Sequence, residues 1–174
     1  PSSRRASTVI GCLLRSSAAR GRLADRGPVV LLHPPLGVVE LGEGCLDDLP
    51  TWIAGHPGAD AVRLIDVLWI DAATNDVVAA FEVEHTTSIY SGIVRMLDLA
   101  LGAPPRTTRG LFLVAPDARE ADVRAQLRRP AFSHVRALQM RFLPYSELER
   151  NRLAMARFGR GLHPIEAVSR TFDD

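Results

Sequence analysis

Three carboxylates stand at the spacing that a divalent-cation site on a β-hairpin would require. Asp66 lies within the apolar run AVRLIDVLWI, and Glu82 and Glu84 lie in VVAAFEVEH, with the polar turn DAATND between the two runs. The first run is β-branched and apolar on both faces, as a central strand should be, and the second reads as its antiparallel partner. Strand alternation puts Val62, Leu64, Asp66, Leu68 and Ile70 on one face of the first, and Val78, Ala80, Glu82 and Glu84 on one face of the second. With Ile70 opposite Val78, Leu68 faces Ala80 and Asp66 faces Glu82, with Cβ atoms about 5 Å apart. Like charges opposed on an apolar face are destabilising, and each buried unpaired carboxylate costs several kcal/mol, so the pair calls for a compensating partner. Water, an arginine such as Arg95, or a divalent cation would each serve, and hard carboxylate oxygens suit Mg2+ or Mn2+ best. Such ions keep waters and bind substrate phosphates, so phosphate chemistry is the chemistry expected of this hairpin.

The remaining charge is distributed to match. The chain has 174 residues, and all 21 of its Lys+Arg residues are arginine. Schiff bases, a Walker-loop lysine and a catalytic Ser-Lys dyad are therefore excluded. A formal net charge of +1 hides segregation: residues 1–39 hold six Arg against one Asp, whereas residues 40–103 hold eleven acids against Arg63 and Arg95. Residues 104–170 hold thirteen Arg against six acids, before the tail Asp173-Asp174. An acidic centre between basic flanks suits a site for metal and phosphate, although charge blocks also arise simply as solvated faces.

The elements that must position these groups become legible from Ala61 onward. Thr86, Thr87 and Ser88 offer caps for a helix to about Leu101, with apolar positions Ile89, Ile93, Val94, Leu97, Ala100 and Leu101, ended by Gly102 and Pro104-Pro105. GLFLVAP reads as a strand of the parallel type, PDAREADVRAQLRR as a helix, ALQMRFLPY as a strand, and Ser146 to about Arg157 as a closing helix. That order predicts an α/β sandwich around a mixed sheet of four or more strands. Residues 1–45 read as an N-terminal extension, with a helix around Val9 to Ala19 and a strand-like run near Val29 to Leu32, and residues 46–174 as the main domain. A short helix is expected over Leu46 to Ala54. A chain that opens at Pro1 without methionine is expected to be one domain of something longer. Cys12 and Cys45 show no metal spacing and read as reduced thiols; with no signal peptide or membrane span in view, a cytoplasmic location is expected.

Asp66, a turn, then Glu82-Val83-Glu84 on a hairpin followed by a helix resembles the PD-(D/E)XK nuclease superfamily. RLIDVLWID with AAFEVEHTTSIYSGIVRMLDL, LFLVAPDAR and QLRRPAF is similar to bacterial restriction-endonuclease-like domains over roughly residues 47–158. The resemblance implies a restriction-endonuclease-like three-layer α/β/α core and Mg2+- or Mn2+-dependent cleavage of DNA, of the restriction or defence type. It further implies that Asp66, Glu82 and the Val83 carbonyl hold the metal. Two positions depart from the pattern: Ile65 replaces the proline, and Glu84 replaces the lysine. A carboxylate accepts protons or ligates metal but cannot donate as an ammonium does, so Glu84 would orient the attacking water or join a second ion. The superfamily usually adds an acid from the first helix, for which Glu40, Glu43, Asp47 and Asp48 are candidates.

His85 alternates to the opposite face from Glu84, and is either a structural group or a proton shuttle. Thr86, Thr87 and Ser88 at a helix start, Arg95, and Arg128-Arg129 at the end of the next helix are candidate nucleic-acid contacts. Arg95 is placed equally well to pair with Asp98. The expected function is a metal-dependent endonuclease acting on DNA, with a homodimer suggested by double-strand cleavage; the opposed reading is a nuclease-like domain that binds nucleic acid or a protein partner without hydrolysis.

Overall fold

A computed structural model describes residues 29–33, 45–46, 49–71, 74–86, 88–102, 108–158 and 162–172. The helix expected at Val9 to Ala19, together with Cys12, Glu40, Glu43, Asp47, Asp48 and Thr87, lies outside them.

Apolar strands with no polar face must be covered on both sides, and the sheet is built accordingly. β3 (Val67–Asp71) and β4 (Val77–Val83) form the hairpin at its centre, and every residue of β4 is buried. β1 (Val29–His33) runs parallel to β3 and is joined at the outer edge by the antiparallel β2 (Cys45–Leu46). On the other side β5 (Gly110–Ala115) and β6 (Arg141–Pro144) extend the sheet in parallel with β4. The order is β2-β1-β3-β4-β5-β6, a mixed sheet of six strands that draws β1 from the segment read as an extension. Arg170 pairs with Phe142 through two backbone hydrogen bonds of 2.8 Å and covers part of the β6 edge.

Two apolar layers enclose the sheet. On one face lie α1 (Thr51–Ala54), α2 (Ala59–Val62), α3 (Ile89–Gly102) and α4 (Glu120–Leu127), contributing Ile53, Val62, Ile89, Ile93, Met96, Leu99 and Val123 to a core with Leu68, Ile70, Ala80 and Leu113. On the other face α5 (Tyr145–Phe158) and α6 (His163–Val168) place Leu148 and Ile165 over Val67, Trp69, Phe81, Val83 and Phe112. The fold is thus the expected α/β/α sandwich around a mixed sheet. Among the described residues no helix is long and apolar enough to cross a membrane.

Several boundaries differ from expectation. AVRLIDVLWI is not one strand: Ala59–Val62 is helical and the strand starts only at Val67. Leu64 therefore does not share a face with Asp66 and is 63% exposed. The hairpin carries an irregularity between Trp69 and Ile70, so Ile70 pairs with Val77 and not Val78. Val77 joins the α3 side while Val78 turns to the opposite layer, since a one-residue shift reverses the face. Leu68 still faces Ala80 and Val67 faces Phe81, so the expected alignment holds at the end where the acids lie. Asn75, in the hairpin loop, adopts φ 59°, a conformation that asparagine tolerates, and its N–H donates to the Asp71 carbonyl. Met96 and Leu99, not Leu101, complete the buried stripe of α3; Leu101 is 68% exposed. The helix expected over Leu46 to Ala54 is confined to Thr51–Ala54, and ALQMRFLPY is a strand only over Arg141–Pro144, because Pro130–Leu138 form a 3-10 helix.

The aromatic stack on the α5 side has a measurable role. Phe81 lies 5.0 Å from Phe112 at 14° and 4.9 Å from Trp69, fully buried. Phe81→Ala is expected to lower the stability in urea denaturation by about 3–5 kcal/mol, the usual cost of an aromatic-sized cavity.

Candidate active site

The carboxylates meet where β3 begins and β4 ends. Asp66 sits in the bend just before β3, half-buried, and its Oδ2 accepts the backbone N–H of Val83 at 2.8 Å. This bond takes the place of the next ladder bond and ties the acid to the hairpin's open end. Glu82, within β4, and Glu84, just beyond it, are both fully buried and both turn toward α3. The backbone N–H of Glu84 donates to the Val114 carbonyl at 2.8 Å, so β5 fixes the position from which its side chain leaves.

What balances this charge is Arg95, reaching over from the second turn of α3. Its Nε donates to Glu82 Oε1 at 2.8 Å and its Nη2 to Oε2 at 2.7 Å, a two-point fork, and Nη2 also lies 3.4 Å from Glu84 Oε1. The fork matches the planar carboxylate in a way that a lysine ammonium would not. Arg95 pairs with these acids, not with Asp98. Burial nonetheless pushes the Glu82 carboxyl up to about 8, with Arg95 opposing that shift and the neighbouring Asp66 and Glu84 charges reinforcing it. The hydrogen bond to Glu82 in turn raises the pKa of Arg95 above its ordinary value.

Two residues that the sequence did not single out complete the site. Gly92 packs against the acids so closely that a Cβ there would stand 2.6 Å from Glu84 Oε1 and 3.3 Å from Glu82 Cβ. A glycine inside an otherwise regular helix was the available signal of this approach. Arg119, in the turn after β5, donates from Nη1 to the Glu84 carbonyl at 2.8 Å and to that of His85 at 3.4 Å. It holds the chain where β4 ends, and nothing in its sequence context marks it.

Of the other expected site residues that are described, Val83 is buried and the rest are exposed. Val83 contributes its backbone to the acid side, while its side chain belongs to the α5 layer. His85 is exposed, turned away from the acids and stacked 6.0 Å from Tyr145 at 14°. Thr86 is exposed; Ser88, also exposed, occupies the capping position of α3, its carbonyl accepting the N–H groups of Ser91 and Gly92. Arg128 and Arg129 are exposed at the end of α4, outside the acid cluster. Arg129 is held by Gln126 at 3.1 Å and lies 5.2 Å over the ring of Tyr90, which projects at 44% exposure from the first turn of α3.

Hard carboxylate oxygens are the donors that divalent cations such as Mg2+ take. Arg95 is a cation already standing against those of Glu82, and among the described residues no three His, Cys, Asp or Glu side chains are grouped as metal ligands. A divalent ion would therefore need Glu82 released from the fork.

Fold and site together define a restriction-endonuclease-like α/β domain with an acidic centre on its hairpin. A family model described as Type II restriction enzyme NmeDI C-terminal domain matches residues 37–164, and the chain belongs to that family. No curated protein and no solved structure matches the chain.

Two outcomes test the site's construction. A carboxyl whose folded pKa stands at about 8 against 4.5 when unfolded binds its proton more tightly in the folded state. Its contribution is fully present below about pH 4.5 and is lost as pH rises through about 8. Glu82→Gln is expected to gain stability relative to the parent by a few kcal/mol between about pH 5 and pH 9 in urea denaturation; a pH-independent difference means that the Arg95 fork governs the proton. Gly92→Ala is expected to destabilise by about 1–3 kcal/mol, because overpacking against Glu84 outweighs the roughly 1 kcal/mol that alanine gains in a helix. A more stable G92A protein shows instead that Glu84 has room to move.

Proposed function

We propose that this chain is a Mg2+-dependent DNA endonuclease domain of the restriction type, cleaving the phosphodiester bond beside Asp66, Glu82 and Glu84. The observation that carries the reading is a pair of buried glutamates gathered on Arg95, with Asp66 bonded across the hairpin to the Val83 amide, in a member of a restriction-enzyme domain family. Asp66, Glu82 and the Val83 carbonyl would hold Mg2+ or Mn2+, which when bound supplies Lewis-acid polarisation of the phosphoryl oxygens and a more acidic water.

The remaining chemistry falls to the chain itself. Glu84 orients the attacking water and accepts its proton, a role its carboxylate performs only while ionised. Arg119, clamped on the Glu84 carbonyl, fixes the backbone from which that carboxylate is presented. With no lysine in the chain, Arg95 is the cation beside Glu84, and it stabilises negative charge developing on the phosphate. The exposed Thr86, Ser88 and Arg128-Arg129, together with Thr87, contact the DNA backbone, positioning the duplex without reading its sequence.

A second reading, binding of DNA without cutting, is favoured by the Arg95 fork, which occupies both oxygens of Glu82. Plasmid nicking separates the two. Supercoiled DNA with Mg2+ or Mn2+ is expected to be nicked, and Asp66→Ala and Glu82→Ala to reduce the rate by at least about a hundredfold. Salt-dependent DNA binding with no nicking under either metal establishes the second reading instead.

A further inference from the structure

We infer that Tyr90 and Arg129 form a preset seat for a backbone phosphate of duplex DNA, in which the tyrosine ring holds the guanidinium in place and the guanidinium binds the phosphate. The inference rests on the DNA reading above and deepens it, by naming a residue that positions the duplex from outside the acidic centre.

The two residues meet where α3 begins and α4 ends. Tyr90, on the first turn of α3, is 44% exposed, and its ring rests against the buried Phe132 with centroids 5.7 Å apart. The guanidinium of Arg129 lies 5.2 Å from the centre of that ring, while its Nη1 donates to Gln126 Oε1 at 3.1 Å. Phe132 thus steadies the ring, and the ring and Gln126 together steady the guanidinium.

The partners of Arg129 mark it out from the arginines before it. Arg119 and Arg124, earlier in the same stretch, face acids, Asp122 at 3.9 Å and Glu120 at 3.6 Å respectively. Arg129 is exposed and forms no ion pair among the described residues; an aromatic face and an amide oxygen orient it, and neither neutralises its charge. Its Nε and Nη2 donate to no protein group among the described residues. A phosphodiester carries one negative charge on two free oxygens, which match the planar donors of a guanidinium. A guanidinium already stacked on a ring gives up less freedom on binding than one extended into solvent. The adjacent Arg128 is exposed as well, and neighbouring cations suit a polymer of phosphates better than a single ion. Gly92, two residues beyond Tyr90, is the point at which α3 abuts Glu84, so one helix carries the reference between this seat and the acids.

Binding of a labelled duplex to the full chain, read by fluorescence anisotropy over a series of salt concentrations without divalent metal, tests this. Arg129→Gln is expected to weaken binding about fivefold whatever the DNA sequence, and to reduce the slope of log affinity against log salt by about 1. Arg129→Lys keeps the charge, and should keep the slope while recovering only part of the affinity. Tyr90→Leu, which retains an apolar contact for Phe132, should weaken binding about threefold through the loosened guanidinium. Combined with Arg129→Gln, it should weaken binding no further than Arg129→Gln alone, because the tyrosine acts through the arginine. Tyr90→Phe, which keeps the ring, should bind as the parent does. Additive losses from Tyr90→Leu and Arg129→Gln overturn the seat, as does a Tyr90→Phe loss equal to that of Tyr90→Leu, or an Arg129→Gln protein with the affinity and slope of the parent. In each of these cases plasmid nicking by the parent leaves the nuclease reading standing. A parent that binds the duplex without nicking, with the variant pattern above, sustains the seat and removes the nuclease reading; a parent that binds no duplex removes both.

Discussion

The contact between Arg95 and Glu82 is the constraint around which the domain is arranged. A carboxylate on a buried strand has lost its water, and the attraction of one nearby cation repays that loss only when geometry is good and the remaining oxygens are satisfied. The hairpin supplies rigidity, with Asp66 bonded across to the Val83 amide. The helix supplies the cation from its second turn and, at Gly92, the clearance that lets it approach. Arg119 fixes the strand end from the other side. Even so, the Glu82 carboxyl remains pushed up to about 8, so the pairing is incomplete as electrostatics. Carboxyls shifted this far occur both at functional sites and in structural ion-pair networks.

Much of this was legible in the sequence because strand periodicity is a robust signal. The alternation in AAFEVE placed Glu82 and Glu84 on the face turned to α3, and the Leu68 to Ala80 pairing followed from the turn. The order of strands and helices beyond residue 61 was likewise carried by apolar runs and Gly or Pro stops. What failed did so locally. The irregularity at Trp69 and Ile70 has no sequence mark, and it reversed the face of Val78 without disturbing the acids. A continuous apolar run does not reveal where helix gives way to strand, so Leu64 was assigned to a face that it does not share.

The site's partners were harder to read than its acids. Arg95 is six residues past the start of α3 and three before Asp98, and spacing along the helix suggests a neighbour on the same helix. Tertiary contact decides otherwise: the guanidinium meets Glu82 in a two-point fork, a geometry that a neighbour along the same helix does not supply. Arg119 lies 35 residues from Glu84, a separation across which no local pattern operates. The absence of lysine, visible at once in the composition, acquires a structural counterpart here: the cation beside the Glu-x-Glu pair comes from a helix and not from the strand.

Gly92 and Arg95 stand three residues apart on α3, so a single helix sets both the space around Glu84 and the reach of the guanidinium. At a rise of about 1.5 Å per residue, a small slide of this helix along the sheet would change the two together. The buried stripe from Ile89 to Leu99 fixes that slide. Apolar packing remote from the acids thereby acts as the ruler of the acidic centre, and substitutions along the stripe should be felt there as changes of distance as well as losses of stability.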